Sequence, residues 1–184
     1  MRIISGKYRG HQLVDFKASH IRPTTDRVKE SQFNILMQYW EGARVLDLFS
    51  GTGNLGLEAL SRGAREVTFV ENHPKSIEIL KKNIAKLRIS EPFTIVNRDV
   101  VSFLKNYSGE AFDLVLADPP FTEEMAHEVM IAASQSSVFG QSTIMTIESG
   151  PKEKIEGDYN TISRYDLREF GDKTLSFFAT KPTE

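Results

Sequence analysis

The sequence predicts an α/β protein: a doubly wound, mostly parallel seven-stranded sheet, with a terminal antiparallel hairpin and a small N-terminal β-hairpin plus helix. Three observations predict it. From residue 44 to about residue 147, short apolar runs alternate with stretches of helical period, which implies right-handed crossovers between parallel strands. A glycine-rich turn directly follows the first apolar run. The last two runs, 159–168 and 173–180, are separated only by a turn at Gly171-Asp172, so they pair antiparallel.

Each element has its own signal. Residues 2–16 read as two short strands around Gly6 and Gly10. A loop over 17–24 contains Arg22-Pro23, and Thr24 or Thr25 can cap a helix reaching about residue 40. Val28, Phe33, Ile35, Leu36 and Tyr39 fall largely at helical spacing along it, and Glu41-Gly42 ends it. Strands follow at 44–49, 66–70, 93–96, 112–117 and 142–147. Helices intervene up to about residue 62, at 73–87, at 100–106 and at 123–134. Ile77, Leu80, Ile84 and Leu87 make one stripe on the second of these. The chain divides into an extension, 1–24, and a main domain, 25–184.

At 184 residues the chain can bury a sizeable core without crosslinks. It has no cysteine, which excludes disulfides, a thiolate nucleophile and any zinc site built on cysteine. Ile3-Ile4 is too short for a signal peptide core, and no stretch is apolar enough to span a bilayer, so the protein reads as cytoplasmic. The four histidines show no metal spacing, so no metal is expected. The net charge of −2 hides an asymmetry: residues 1–30 carry seven Lys/Arg against three acids, while the remainder is acidic. Segregated positive charge fits contact with a polyanion as well as it fits a solvated basic arm.

In a parallel sheet, ligands bind beyond the C-terminal ends of the strands. After the first strand comes Asp47-Leu48-Phe49-Ser50-Gly51-Thr52-Gly53-Asn54-Leu55-Gly56, in which Gly51, Gly53 and Gly56 have the spacing of dinucleotide-binding turns. Taken alone, that pattern fits a nicotinamide enzyme as well as one that binds another nucleoside. The acids separate the two. A pyrophosphate gains nothing from Asp47, whereas a cationic ligand does. Glu71, ending the second strand, can take both ribose hydroxyls, and Asp99, ending the third, can accept from an adenine amine. Three acids at consecutive strand ends match S-adenosylmethionine. Phe49, Asn72 and Val100 flank them and complete the expected cofactor set.

After the fourth strand stands Asp118-Pro119-Pro120-Phe121. Two prolines fix two φ angles and remove two donors, which frees the adjacent carbonyls to accept. The Asp118 carboxylate and the Pro119 carbonyl can together hold the two hydrogens of an –NH2 group. Asp118 can also receive the proton that leaves, and Phe121 offers a face for a stacked base. Asp118, Pro119 and Phe121 are the catalytic candidates.

These segments resemble the class I amino-methyltransferases that carry an Asp/Asn/Ser-Pro-Pro-aromatic motif. Within them the chain is most similar to the small bacterial 16S ribosomal RNA guanine-N2 methyltransferases. The specific segments are Gly6-Lys7-Tyr8-Arg9-Gly10 and Arg22-Pro23-Thr24-Thr25-Asp26-Arg27-Val28. The resemblance implies methylation of N2 of one guanine, guanine 966 in the helix 31 loop of 16S rRNA, on an assembled or assembling small subunit. It implies that Asp47, Gly51, Gly53, Glu71 and Asp99 hold the cofactor. Arg2, Lys7 and Arg9 would contact RNA phosphates, and the segment with Arg22, Thr24 and Arg27 would close over the site. Nothing in the sequence demands more than a monomer. A DNA adenine or cytosine amino-methyltransferase uses the same tetrapeptide but usually adds a target-recognition region, for which this chain has little length to spare.

Overall fold

The computed structural model describes residues 1–15, 26–120 and 125–181, with residues 26 and 27 described by backbone alone. Arg22, Thr24 and Phe121 therefore lie outside the described residues, as does the side chain of Arg27. The helices are α1 (Asp26–Ile35), α2 (Asn54–Ser61), α3 (Pro74–Leu87), α4 (Val100–Asn106) and α5 (Ala126–Ser134). The strands are β1 (Arg44–Leu48), β2 (Glu66–Glu71), β3 (Phe93–Asn97), β4 (Phe112–Ala117), β5 (Phe139–Ser149), β6 (Asp158–Tyr159), β7 (Ile162–Phe170) and β8 (Lys173–Thr180).

They form one sheet in the order β3-β2-β1-β4-β5-β8-β7-β6. The first five strands in that order are parallel, and β8, β7 and β6 continue antiparallel. The strand order reverses between β1 and β4, which opens a crevice at their tips. One face packs against α1, α2, α3 and the N-terminal segment, and the other against α4 and α5. None of the described helices is long and apolar enough to cross a membrane.

Local chemistry explains the boundaries. Pro74 starts α3 because its fixed φ and missing N–H suit a first helical position, and Arg88 ends the helix in the left-handed region at φ 53°. Trp40 is core: it stacks on Phe33 at 4.4 Å and donates Nε1–H to the Phe33 carbonyl. The long helix expected up to residue 40 stops at Ile35, with a 3-10 turn at Met37–Tyr39.

The structure corrects further expectations. The sheet has eight strands rather than seven. The single strand expected at 159–168 is broken by a tight turn at Asn160-Thr161, with Asn160 at φ 49°, so Tyr159 pairs with Ile162 as a separate edge strand. The N-terminal hairpin of two strands is reduced to one antiparallel bridge, Arg2 with Gln12. The amides of a longer ladder go elsewhere: Ile4 and Ser5 donate to the Glu58 carboxylate, and Lys7 and Tyr8 donate to the Ser61 carbonyl and hydroxyl. Ile3, Tyr8 and Leu13 are buried in the core, so this segment is fastened along α2.

Candidate active site at the strand tips

The tips of β3, β2, β1 and β4 bring Asp99, Glu71, Asp47 and Asp118 to one edge of the sheet. The chain leaves β1 sharply. Phe49 adopts φ 60°, a left-handed backbone that costs a side-chain-bearing residue about 1–2 kcal/mol. The turn continues through Gly51 and Gly53, and Gly53 at φ 89° begins α2. A Cβ on Gly53 would collide with Leu80, so both its conformation and the packing of α3 demand glycine there.

The carboxylates are held by this backbone. Asp47 is 1% exposed, and its Oδ2 accepts the Gly56 N–H at 2.8 Å. Glu71 Oε2 accepts from Gly51 N at 2.8 Å, while Oε1 accepts from Asn72 N at 2.9 Å and His73 N at 2.8 Å. Those bonds fill three of its roughly four acceptor sites. The bidentate grip on a ribose expected from sequence therefore requires its oxygens to share. Asp99 caps α4 through Ser102 N at 2.8 Å. The Val100 side chain is buried with α4 and α5, so what it offers a ligand is the amide of a first helical position.

The negative charge is concentrated. Burial pushes the Asp47 carboxyl up to about 8, against the lowering effect of the Gly56 N–H; the charges of Asp118 and Glu71 push it further, and Lys29 opposes them. An acid held neutral beside two other carboxylates suits a ligand that brings positive charge, as a sulfonium with an ammonium does. The donor set thus fits S-adenosylmethionine. Among the described residues no group of acids and histidines could hold a metal ion.

A family model described as "Conserved hypothetical protein 95" matches residues 1–179. The chain belongs to that family. A curated relative, Ribosomal RNA small subunit methyltransferase D of Haemophilus influenzae, is 38% identical over 151 residues, covering 81% of this chain and 78% of the relative. Putative rRNA methyltransferase YlbH of Bacillus subtilis is 40% identical over 128 residues, covering 67% and 68%. A solved structure of a putative methyltransferase, yhhF from Escherichia coli, superposes with a TM-score of 0.87 at 31% identity, covering 98% of each chain. Family and fold make the protein an S-adenosylmethionine-dependent methyltransferase.

Two of the expected RNA-contacting residues, Lys7 and Arg9, sit apart from the strand tips, whereas the Arg2 carbonyl accepts from Lys29 at 3.2 Å, the lysine that also holds Asn54 at the start of α2. Lys7 and Arg9 lie on a turn held by Ser61, where α2 ends, and by Ser90 and Glu91, just before β3 begins. That is the strand-start end of the sheet. Lys7 Nζ is 2.6 Å from Glu91. Burial would raise the Glu91 carboxyl, but hydrogen bonds from Lys7 and Tyr8 prevail and hold it down at about 2. Arg2 and Arg9 are exposed.

Sequence reasoning missed three buried polar residues that frame the site. Lys29 on α1 donates to Asn54 Oδ1 at 2.8 Å and pairs with Glu58 at 2.9 Å. This gives Asn54 its role as the acceptor that fastens α1 to the start of α2. Asn83 on α3 donates to the Thr52 carbonyl at 2.9 Å and exchanges bonds with both backbone groups of Val14, tying the glycine-rich turn to the N-terminal segment. Gln32 donates to Thr146 Oγ1 at 2.6 Å, beside Leu116 of β4. The legible signal was Glu58 four residues before Arg62, which does form an ion pair; the others are interruptions of apolar stripes.

Proposed function

We propose that this protein transfers a methyl group to the exocyclic N2 amine of a guanine in 16S rRNA of the small ribosomal subunit, guanine 966 in the helix 31 loop. The observation that carries the reading is the neighbourhood of Asp118: it follows the last residue of β4, Ala117, which is paired with Leu48 of β1, and its charge acts on Asp47. The acceptor for an amine and the buried acid for a cationic donor thus stand on adjacent strands. The relatives named as ribosomal RNA small subunit methyltransferases support the class of substrate.

The chain's own residues do the following. Asp47, Glu71 and Asp99 hold and orient S-adenosylmethionine, with Gly51 and Gly53 allowing close backbone approach and Phe49, Asn72 and Val100 lining it. The cofactor supplies a methyl group already activated on a sulfonium. Asp118 and the Pro119 carbonyl accept the two hydrogens of the guanine amine and turn its nitrogen toward that methyl. Phe121 stacks on the base. Asp118 takes the proton released as the new C–N bond forms. Positioning supplies most of the acceleration, because a delocalised base amine is a weak nucleophile that gains from orientation. Arg22, Thr24 and Arg27 close over the base. Arg2, Lys7 and Arg9 contact RNA phosphates, Lys7 and Arg9 from the strand-start end, and the protein acts as a monomer in the cytoplasm.

The test is mass-spectrometric mapping of modified guanines in 16S rRNA from cells lacking the protein, with restoration by the purified enzyme. One N2-methylguanine lost and regained is the expected result. An unchanged guanine map refutes the proposal.

A further inference from the structure

We infer that the segment after β5 is an RNA-backbone site, in which Lys152 and Lys154 hold phosphates of the nucleotides flanking the target base. The inference rests on the proposed function, in that it takes Asp118 to face the methylated guanine. The cofactor acids occupy the tips of β1, β2 and β3, and the amine acceptors follow β4. An RNA strand entering the site has the cofactor on one flank. Its open flank is therefore the tip of β5, and the chain that leaves this tip is residues 150–157.

That segment is built. Glu153 turns back on its own loop, accepting from Gly150 N at 2.6 Å and from Ala126 N, at the start of α5, at 3.2 Å. The Tyr159 hydroxyl accepts the Glu156 N–H at 2.8 Å and is hydrogen-bonded to His127 Nδ1 at 2.9 Å. With Glu153 drawn inward, Lys152 and Lys154 are exposed, and neither makes an ion pair among the described residues. Together with His127, Glu153 and Glu156 they line a cavity of about 280 Å³.

The site is near the chemistry. Five peptide links separate Pro120 from Met125, the residue before α5, so Met125 lies at most about 18 Å from the catalytic segment, and the cavity lining begins two residues later at His127. That is the reach of a few nucleotides. The turn with Lys7 and Arg9 is at the other end of the sheet, and Lys7 is committed to Glu91. Glu156 gives the cavity an acceptor suited to a ribose 2′-hydroxyl beside the phosphate, a combination that RNA offers and DNA does not.

The test compares wild type with the double variant Lys152→Glu/Lys154→Glu. A second variant, Lys81→Glu/Lys82→Glu on the exposed face of α3, controls for the same change in net charge. Binding of a labelled, mixed-sequence twelve-nucleotide RNA is followed by anisotropy from about 50 to 200 mM KCl. Two lost phosphate contacts should flatten the log–log salt slope by about 1.4, so the fall in affinity over that range becomes about sevenfold smaller. The KM for unmethylated small subunits should rise at least tenfold, with melting temperature and S-adenosylmethionine affinity as in wild type. The control should keep the wild-type slope. A wild-type slope and KM in the double variant overturn the inference, and so does a fall in cofactor affinity or melting temperature that accounts for the KM. Wild-type protein that binds RNA but methylates no guanine refutes the proposed function instead, while the salt slope still reads the lysines.

Discussion

Lys29 and Glu58 form an ion pair of 2.9 Å whose side chains are 1% and 0% exposed. The pair joins α1 to α2, and through the Ile4 and Ser5 amides it also holds the N-terminal segment. Breaking one partner of a buried pair costs about 3–5 kcal/mol. Lys29→Met should fall at the lower end, near 3 kcal/mol, because Arg62 and two amides still serve Glu58. Urea unfolding measures the loss. A change below about 0.5 kcal/mol, the scale of an ordinary surface substitution, would mean that the pair contributes little.

The same lysine opposes the rise of the Asp47 carboxyl, which burial pushes up to about 8. The folded protein therefore keeps a proton there that the unfolded chain gives up near its ordinary value of 3.8. Between those values the native state binds more protons, so stability falls as pH rises and levels off above about 8. Asp47→Asn should flatten that part of the stability–pH curve. A cationic cofactor should draw the proton off, so its affinity should increase with pH up to the same point. Calorimetry at pH 7 in two buffers of different ionisation enthalpy should register proton release; equal apparent enthalpies would remove Asp47 as a partner of the cation.

Asn83 is fully buried and serves the Thr52 carbonyl and both backbone groups of Val14. Asn83→Leu keeps the branching at Cγ, adds some volume and strips three backbone groups of their partners, at about 1–3 kcal/mol for a buried group left unsatisfied. Thr52 belongs to the glycine-rich turn, so cofactor affinity should fall with stability. Lost stability with unchanged affinity for S-adenosylmethionine would show that the turn holds its shape without this clasp.

Gly56 is required by space. A Cβ there would collide with Phe69 and lie 2.8 Å from Asp47 Oδ2 and 2.9 Å from Val67. Gly56→Ala should destabilise by about 1–3 kcal/mol and weaken cofactor binding by pushing α2 from β1. Wild-type cofactor affinity in a folded Gly56→Ala protein would separate the helix position from binding.

Asp118→Ala should reduce methyl transfer at least about 10²-fold, the lower range for removing a general base. Affinity for S-adenosylmethionine should change little, since Asp47 ionises more easily without the Asp118 charge while the cationic ligand loses one neighbouring carboxylate. Single-turnover kinetics with saturating cofactor test this. Parallel loss of turnover and cofactor binding would make Asp118 a structural residue.

The sequence by itself determined the alternation of elements, because apolar period and turn residues are local signals. β4 at Phe112–Ala117, α4 at Val100–Asn106 and β8 at Lys173–Thr180 have the expected bounds. It also determined which residues stand at the strand tips, since a parallel sheet sends the chain out past Asp47, Glu71, Asp99 and Asp118 at one edge. Tertiary structure decided what those residues touch. That Glu71 takes the Gly51 amide, that Glu58 and Ser61 take the amides of the expected N-terminal strands, and that Asn54 receives Lys29 all depend on chain segments far apart in sequence. It also decided where charge points. Lys7 and Arg9 belong to the segment that is basic in composition, yet their turn is fastened at the strand-start end, while Lys152 and Lys154, which follow β5, belong to an acidic remainder. Composition adds charges along a line; only packing against a sheet with two distinct ends gives each one a side.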